Sequence, residues 1–251
     1  MIEEAYFTFK GNPYRVDMEK PLDISIPLNP GTHNPNCYYT DPVVIEPVRT
    51  KEFVGSVAEG GSCNHRRISL APHGNGTHTE CYGHISADPE ATLSRCLKHF
   101  HFLAQVISVS PESHGDDQVI RSHQIMSRLN AKGPQALIMR TLPNGVDKLT
   151  RHYSGSNPPY LDPSLVKDLT AAGIEHLLVD LPSVDREVDH GKLAAHKAFW
   201  GFPDHIRRHS TITELVYVAD VIPDGLYLLN LQVTSLENDA SPSKPVLYPF
   251  L

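Results

Sequence analysis

Residues 72–84 read Pro-His-Gly-Asn-Gly-Thr-His-Thr-Glu-Cys-Tyr-Gly-His. Three imidazoles and a carboxylate fall within twelve residues there, and no long hydrophobic side chain interrupts them. Nitrogen and oxygen donors without thiolate suit Zn²⁺, Mn²⁺ or Fe²⁺. His73, His78 and Glu80 form a set of three ligands, which leaves a position for water, as a catalytic site requires. A structural zinc is more often closed by four ligands that include cysteine. A cation so held lowers the pKa of water from 15.7 towards about 7 and polarises a carbonyl oxygen. His84 stands six residues beyond His78. An imidazole with a pKa near ~6.5 suits a general base on that water and then an acid to a leaving nitrogen. Service as a fourth ligand is the alternative role. The chemistry expected is metal-assisted hydrolysis of an amide, formamide, lactam or similar C–N or C–O bond. The competing readings are a surface loop with scattered histidines and a metal-binding module without catalysis.

The neighbouring elements must aim these groups. Arg67-Ile68-Ser69-Leu70-Ala71 alternates as a strand does and feeds the histidine stretch. In extended chain, residues two apart share a face, so His78, Glu80 and His84 are in phase and His73 is one residue out. Gly74-Asn75-Gly76 suits a bulge that would return His73 to the common face. Further strands are expected over Leu22–Leu28, ended by Asn29-Pro30-Gly31, and over Val43–Val48, Phe102–Val109, Ala136–Thr141 and Ile174–Asp180, with Tyr227–Thr234 as the final strand. Asp162-Pro163 opens a helix that Gly173 closes. Shorter helices are expected over Ser122–Leu129, with Ser122 as N-cap, and from His190 or Lys192 to Trp200. Residues 1–20 carry no clear pattern, and 142–160 read as a long loop.

Gly76-Thr77-His78-x-Glu80-x-x-x-His84 resembles the signature of the metal-dependent cyclase family, which includes bacterial-type kynurenine formamidases and isatin hydrolases. The family pattern runs His-x-Gly-Thr-His-x-Asp-x-Pro-x-His. Gly76, Thr77, His78 and His84 match it in place. His73 lies one residue too far out, Glu80 replaces Asp and Tyr82 replaces Pro. The resemblance extends over residues 22–247. It takes in Asp180-Leu181-Pro182-Ser183-Val184-Asp185, His196, Glu214 and the tail from Asp239 to Leu247. It implies an α/β (α+β) fold in a single domain spanning residues 1–251, with a mixed sheet or barrel-like core flanked by helices. It implies one or two Zn²⁺ or Mn²⁺ ions, His196 and Glu214 joining the site from the far half of the chain and Glu80 bridging. It also places the loop of His33, Asn34 and Tyr38 beside the substrate pocket, and suggests a homodimer or homotetramer. Arylformamidase-like C–N hydrolysis is the expected activity; dehydration, cyclisation or lactone opening is the alternative within the family.

The chain has 251 residues, 40% hydrophobic and 20% charged, with a net charge of −7. That is long enough for one full core. The acidic balance argues against nucleic-acid and anionic-membrane partners, which call for a basic stripe, and does not identify a substrate; a small-molecule substrate is expected from the hydrolase reading. Cys37, Cys63, Cys81 and Cys96 are sparse and form no Cys-x-x-Cys pair, which fits reduced thiols in the cytoplasm. Cys81 alternates away from His78 and Glu80 and reads as a packed thiol. Met1-Ile2-Glu3-Glu4 does not resemble a signal peptide. No run approaches the ~20 apolar residues of a membrane span. No Gly-x-Ser-x-Gly elbow occurs, which disfavours a serine hydrolase.

Overall fold

The computed structural model describes residues 2–251; Met1, the first residue of the acidic N-terminal run, lies outside them. Four strands run parallel side by side: His101–Val109, Ala136–Thr141, His176–Val179 and Thr211–Glu214. Met139, Leu177, Leu178 and Val179 are fully buried. Strands covered on both faces read as continuous apolar runs, which is why the first three of these were legible in the sequence; Thr211–Glu214, alternating Thr-Ile-Thr-Glu, was not read as a strand. Three antiparallel strands close the sheet on itself. His78–Glu80 pairs with Thr211–Glu214, Ala240–Pro249 pairs with His78–Glu80, and Gly225–Val233 joins Ala240–Pro249 to His101–Val109. The result is a closed barrel of seven strands, with Leu22–Asp23 added outside Ala240–Pro249. A mixed, barrel-like core with helices against it is the architecture expected.

The helix Pro163–Ala171 is built as its sequence requires. The Asp162 carboxylate accepts from the Ser164 amide at 2.8 Å, Pro163 takes the first helical position, and Gly173 follows at φ +89°. Its Leu165, Val166 and Leu169 are buried against the barrel side of the core, as are Ala195, Phe199 and Trp200 of the helix Ala194–Trp200. That second helix starts later than expected, because His190 and Leu193 take φ of +59° and +47° and interrupt the helical path.

Three other expectations are corrected. Only Leu22–Asp23 of the Leu22–Leu28 run joins a sheet; beyond it Ile24 donates to the Pro245 carbonyl at 3.2 Å and accepts from the Tyr217 amide at 2.8 Å, and Thr77 Oγ1 accepts from the Ile26 amide at 2.8 Å. The Ser122–Met126 helix begins at Ser122 itself, so Ser122 is no N-cap, and its hydroxyl donates to Asp168 instead. Gly225–Val233 is not the last strand: Ala240–Pro249, ten residues long, follows it and completes the barrel. Pro242 and Pro245 inside it argue against a central strand on sequence grounds. The pattern-free N-terminus is a hairpin, Glu4–Phe9 against Asn12–Asp17, turned at Lys10 and Gly11 with φ of +46° and +76°. Phe7, Tyr14 and Phe250 stack to dock it on the C-terminus. Among the described residues no helix is long and apolar enough to cross a membrane, and the four cysteines are free.

Candidate metal centre

His78 and Glu80 lie two apart on one short strand, so alternation points both side chains the same way, and both are 0% exposed. Thr79 faces the other side, where its hydroxyl meets that of Thr213 at 2.8 Å. The extended phase does not continue to His84. The chain leaves the strand at Cys81 and makes a turn of 3₁₀ helix over Tyr82–Ile85, which brings His84 Nδ1 to 3.7 Å from Glu80 Oε2. His73 likewise returns to the site from a 3₁₀ turn, Pro72–Gly74, and not from a β-bulge; its Nδ1 is 3.1 Å from Glu80 Oε2. Cys81 packs away from the site and donates to the Ala91 carbonyl, and contact with Cys96 together with burial pushes its thiol up. Tyr82, at the pattern's proline position, is also turned away, its hydroxyl between Asp88 and Arg208.

The far half of the chain supplies His196 and Glu214. Glu214 ends its strand directly opposite His78, and its Oε2 is 3.4 Å from His78 Nε2 while its Oε1 accepts from the Val184 amide at 3.0 Å. His196 projects from the first turns of its helix. Asp185 accepts from the amides of Ala195 and His196 at 2.7 and 3.1 Å and from His196 Nδ1 at 2.6 Å. One carboxylate thereby starts the helix and aims its histidine, leaving Nε2 at 3.1 Å from Glu80 Oε1. Asp239 enters from the edge of Ala240–Pro249, with Oδ2 at 2.8 Å from His73 Nε2 and 3.5 Å from His84 Nδ1. Donor atoms of His73, His78 and Glu80 lie within 4.8 Å of one another, as do those of Glu80, His84 and His196 and those of His73, His84 and Asp239.

The tautomers decide what these donors face. The Gly76 carbonyl accepts from His78 Nδ1 at 2.9 Å, so Nε2 turns a lone pair inward. Asp185 does the same for His196. His78 Nε2 and Glu80 Oε2 are buried without a hydrogen-bond partner among the described residues. Lone pairs that converge in a water-poor site are costly unless positive charge lies between them. A tetrahedral zinc with bonds of about 2.0–2.1 Å holds its donors roughly 3.3 Å apart, close to the 3.1–3.8 Å separations here. The residues therefore fit a divalent cation.

Proton affinities carry the same mark. Burial opposes the His73 and His196 imidazoliums, but the Asp239 and Glu80 carboxylates beside His73, and those of Asp185 and Glu80 beside His196, raise each to about 10. Burial likewise opposes the Glu80 anion, yet His196 and His73 hold it well below the usual carboxylate range. Asp239 is held low by His73 and His84. These carboxylates demand cationic charge, and a metal would supply what protons otherwise must.

A cavity of about 260 Å³ opens onto the cluster, lined in part by Tyr38, His73, His84, Ser183, His196 and Glu214. Of the three loop residues expected beside the pocket, Tyr38 is there, its hydroxyl donating to the Pro182 carbonyl at 3.2 Å. Asn34 is buried elsewhere and braces the turn by bonds to Asn29 and Gly31. His33 is exposed and does not line the cavity. Asp180 pairs with buried Lys148 at 2.7 Å and with Thr141, fixing the root of the loop that carries Ser183 and Asp185. The reading of the sequence put Asp239 in the C-terminal tail without a role at the site and did not single out Lys148. Neither sits at a telling distance from the histidine stretch, and only barrel closure puts Asp239 beside it.

The family model described as "Putative cyclase" matches residues 22–186. A kynurenine formamidase from Bacillus anthracis is 27% identical over 240 residues, covering 93% of this chain and 97% of its own. Among solved structures, a protein described as a predicted metal-dependent hydrolase from Bacillus stearothermophilus superposes with a TM-score of 0.64 at 16% identity, over 91% of this chain and 98% of its own. Isatin hydrolase A from Labrenzia aggregata gives 0.65 at 16% identity, over 91% and 93%. At such identities the two structures speak for the fold.

Proposed function

The chain belongs to the cyclase family, and we propose that within it the protein is a metal-dependent hydrolase of a non-peptide C–N bond in a small amide, formamide or cyclic amide. The observation that carries this reading is the pair of atoms His78 Nε2 and Glu80 Oε2, buried without a hydrogen-bond partner among the described residues and set among inward lone pairs beside a cavity. Relatives that include kynurenine formamidases support the choice of bond. His73, His78 and Glu80 would hold one Zn²⁺ or Mn²⁺ ion; Glu80, His196 and Glu214 would hold a second, with Glu80 shared. When bound, the cation acidifies a water and polarises the carbonyl that the water attacks.

The rest is the work of this chain's side chains. Asp185 and the Gly76 carbonyl keep His196 and His78 in the tautomer that presents Nε2 inward. Glu80 and Glu214 would set two negative charges against the bound cations. His84 is partly exposed at the cavity, its side chain 28% accessible, with Nδ1 turned to Glu80 and Asp239. It takes the proton of the attacking water and delivers it to the nitrogen as the C–N bond breaks, so that a carboxylic acid and an amine leave. Trp200, fully buried with its ring centroid 5.5 Å from that of His196, keeps solvent out from behind.

Elemental analysis of purified protein, paired with hydrolysis of N-formylkynurenine and isatin, tests this. We expect at least one equivalent of divalent metal and turnover of one substrate class. The His84→Ala variant should keep its metal and lose about 10²–10⁴-fold in rate. Metal-free active protein, or full activity in His84→Ala, would refute the proposal.

A further inference from the structure

In the family pattern the first histidine stands four residues before the Gly-Thr-His histidine, which here is position 74, and position 74 is glycine. A side chain there has no room: a Cβ on Gly74 would fall 2.3 Å from Thr40 Oγ1. His73 must supply its imidazole from the neighbouring position, and something must aim it.

Asp239 is placed to do so. The Cys81 amide donates to the Asp239 carbonyl at 3.0 Å, and the Leu93 amide to the Asn238 carbonyl at 2.8 Å, so the backbone that carries the carboxylate is pinned to the histidine stretch. Gly83 lies tight against this segment, since a Cβ there would fall 1.9 Å from the Ala91 carbonyl oxygen and 3.1 Å from Asp239 Cβ. From this mount Asp239 Oδ2 accepts from His73 Nε2 at 2.8 Å, which leaves His73 Nδ1 facing Glu80. A ligand imidazole whose other nitrogen donates to a carboxylate has its tautomer and ring direction fixed. The same Oδ2 is 3.5 Å from His84 Nδ1, and the His73 and His84 rings are 4.3 Å apart. The charge that orients the would-be ligand therefore also orients the proton carrier, leaving His84 Nε2 for the substrate.

We propose that Asp239 is the positioning residue of this site: it aims a histidine displaced by one residue from the family register and couples it to His84. The inference rests on the hydrolase reading for His84 and on metal binding alone for His73. The test compares Asp239→Asn and Asp239→Glu with the parent protein. Zinc affinity is measured by chelator competition, and kcat and KM are measured separately. Asp239→Asn, with the fold unchanged by circular dichroism, should weaken zinc 10–100-fold, at unchanged stoichiometry when zinc is saturating. Its kcat should fall while KM stays within about twofold, and Asp239→Glu should recover most of the zinc affinity. Zinc affinity unchanged in Asp239→Asn would overturn the proposal. So would loss of a metal equivalent at saturation, which makes Asp239 a ligand. If zinc affinity falls as expected while the parent protein hydrolyses no substrate, the aiming of His73 stands, and the hydrolase reading and the role at His84 fall.

Discussion

Both mouths of the barrel are ringed by histidine. Where the parallel strands end, His73, His78, His84 and His196 meet Glu80, Glu214 and Asp239, and His73, His84, His196 and Glu214 open onto a cavity of about 260 Å³. Where the same strands begin, His99, His101, His176 and His209 border a far larger cavity, about 880 Å³. There the partners differ. His176 Nδ1 meets the Thr211 hydroxyl at 2.9 Å and its ring lies 3.9 Å from that of Phe102. The charged neighbours are Lys98, Arg207 and Arg208 against one carboxylate, Glu175. A divalent cation would find repulsion there, and among the described residues no set of three metal-ligating atoms converges at that end. Histidine number does not separate the two ends, and cavity size favours the end without the carboxylates. The separation lies in carboxylates that face the imidazoles and in outer partners that fix which nitrogen looks inward.

That contrast can be attacked at its strongest point. Glu80→Gln keeps the shape and removes the charge; we expect metal affinity and hydrolysis both to fall by more than the about 100-fold typical of losing a group behind a ligand. The matched change at the other mouth, His176→Gln, should leave metal content intact and hydrolysis within about twofold, since nothing there touches substrate or metal. Equal losses from the two variants would erase the distinction. A smaller effect is expected one layer out. Asp185→Asn offers His196 Nδ1 an amide that can donate as well as accept, so the outward proton is no longer held there, and metal affinity measured by competition should drop about 10–100-fold.

The smallest effect concerns stability. Burial, reinforced by Arg207 and His99, pushes His176 down from its ordinary 6.5 to about 3, so the folded protein keeps it neutral. Between those values the unfolded chain binds a proton that the folded one refuses, and stability falls as pH drops. Urea unfolding at pH 5.5 against pH 8 should show this single group removing about 1 kcal/mol. In His176→Gln that share of the pH dependence should vanish; an unaltered slope would contradict it.

How much of this could be read beforehand depends on range along the chain. The Gly76-Thr77-His78-x-Glu80 core is local, and two-residue alternation fixes its direction. The helix of Pro163–Ala171 carries its own cap and stop. His84 was correctly associated with Glu80 for a reason the structure replaces, since a 3₁₀ turn and not a strand returns it. Asp239 could not be read, because its place follows from Ala240 pairing with Glu80 across 160 residues of chain, in a strand that Pro242 and Pro245 disguise. Local geometry was legible and the resemblance implied a barrel-like core; the strand that completes the barrel was not read.

The most direct measurement is an anomalous-scattering map from crystals of the zinc-loaded protein. The account predicts a peak about 2.0–2.2 Å from both His78 Nε2 and a Glu80 carboxylate oxygen. A map with no peak there, or with its peak among His99, His101, His176 and His209, would contradict it.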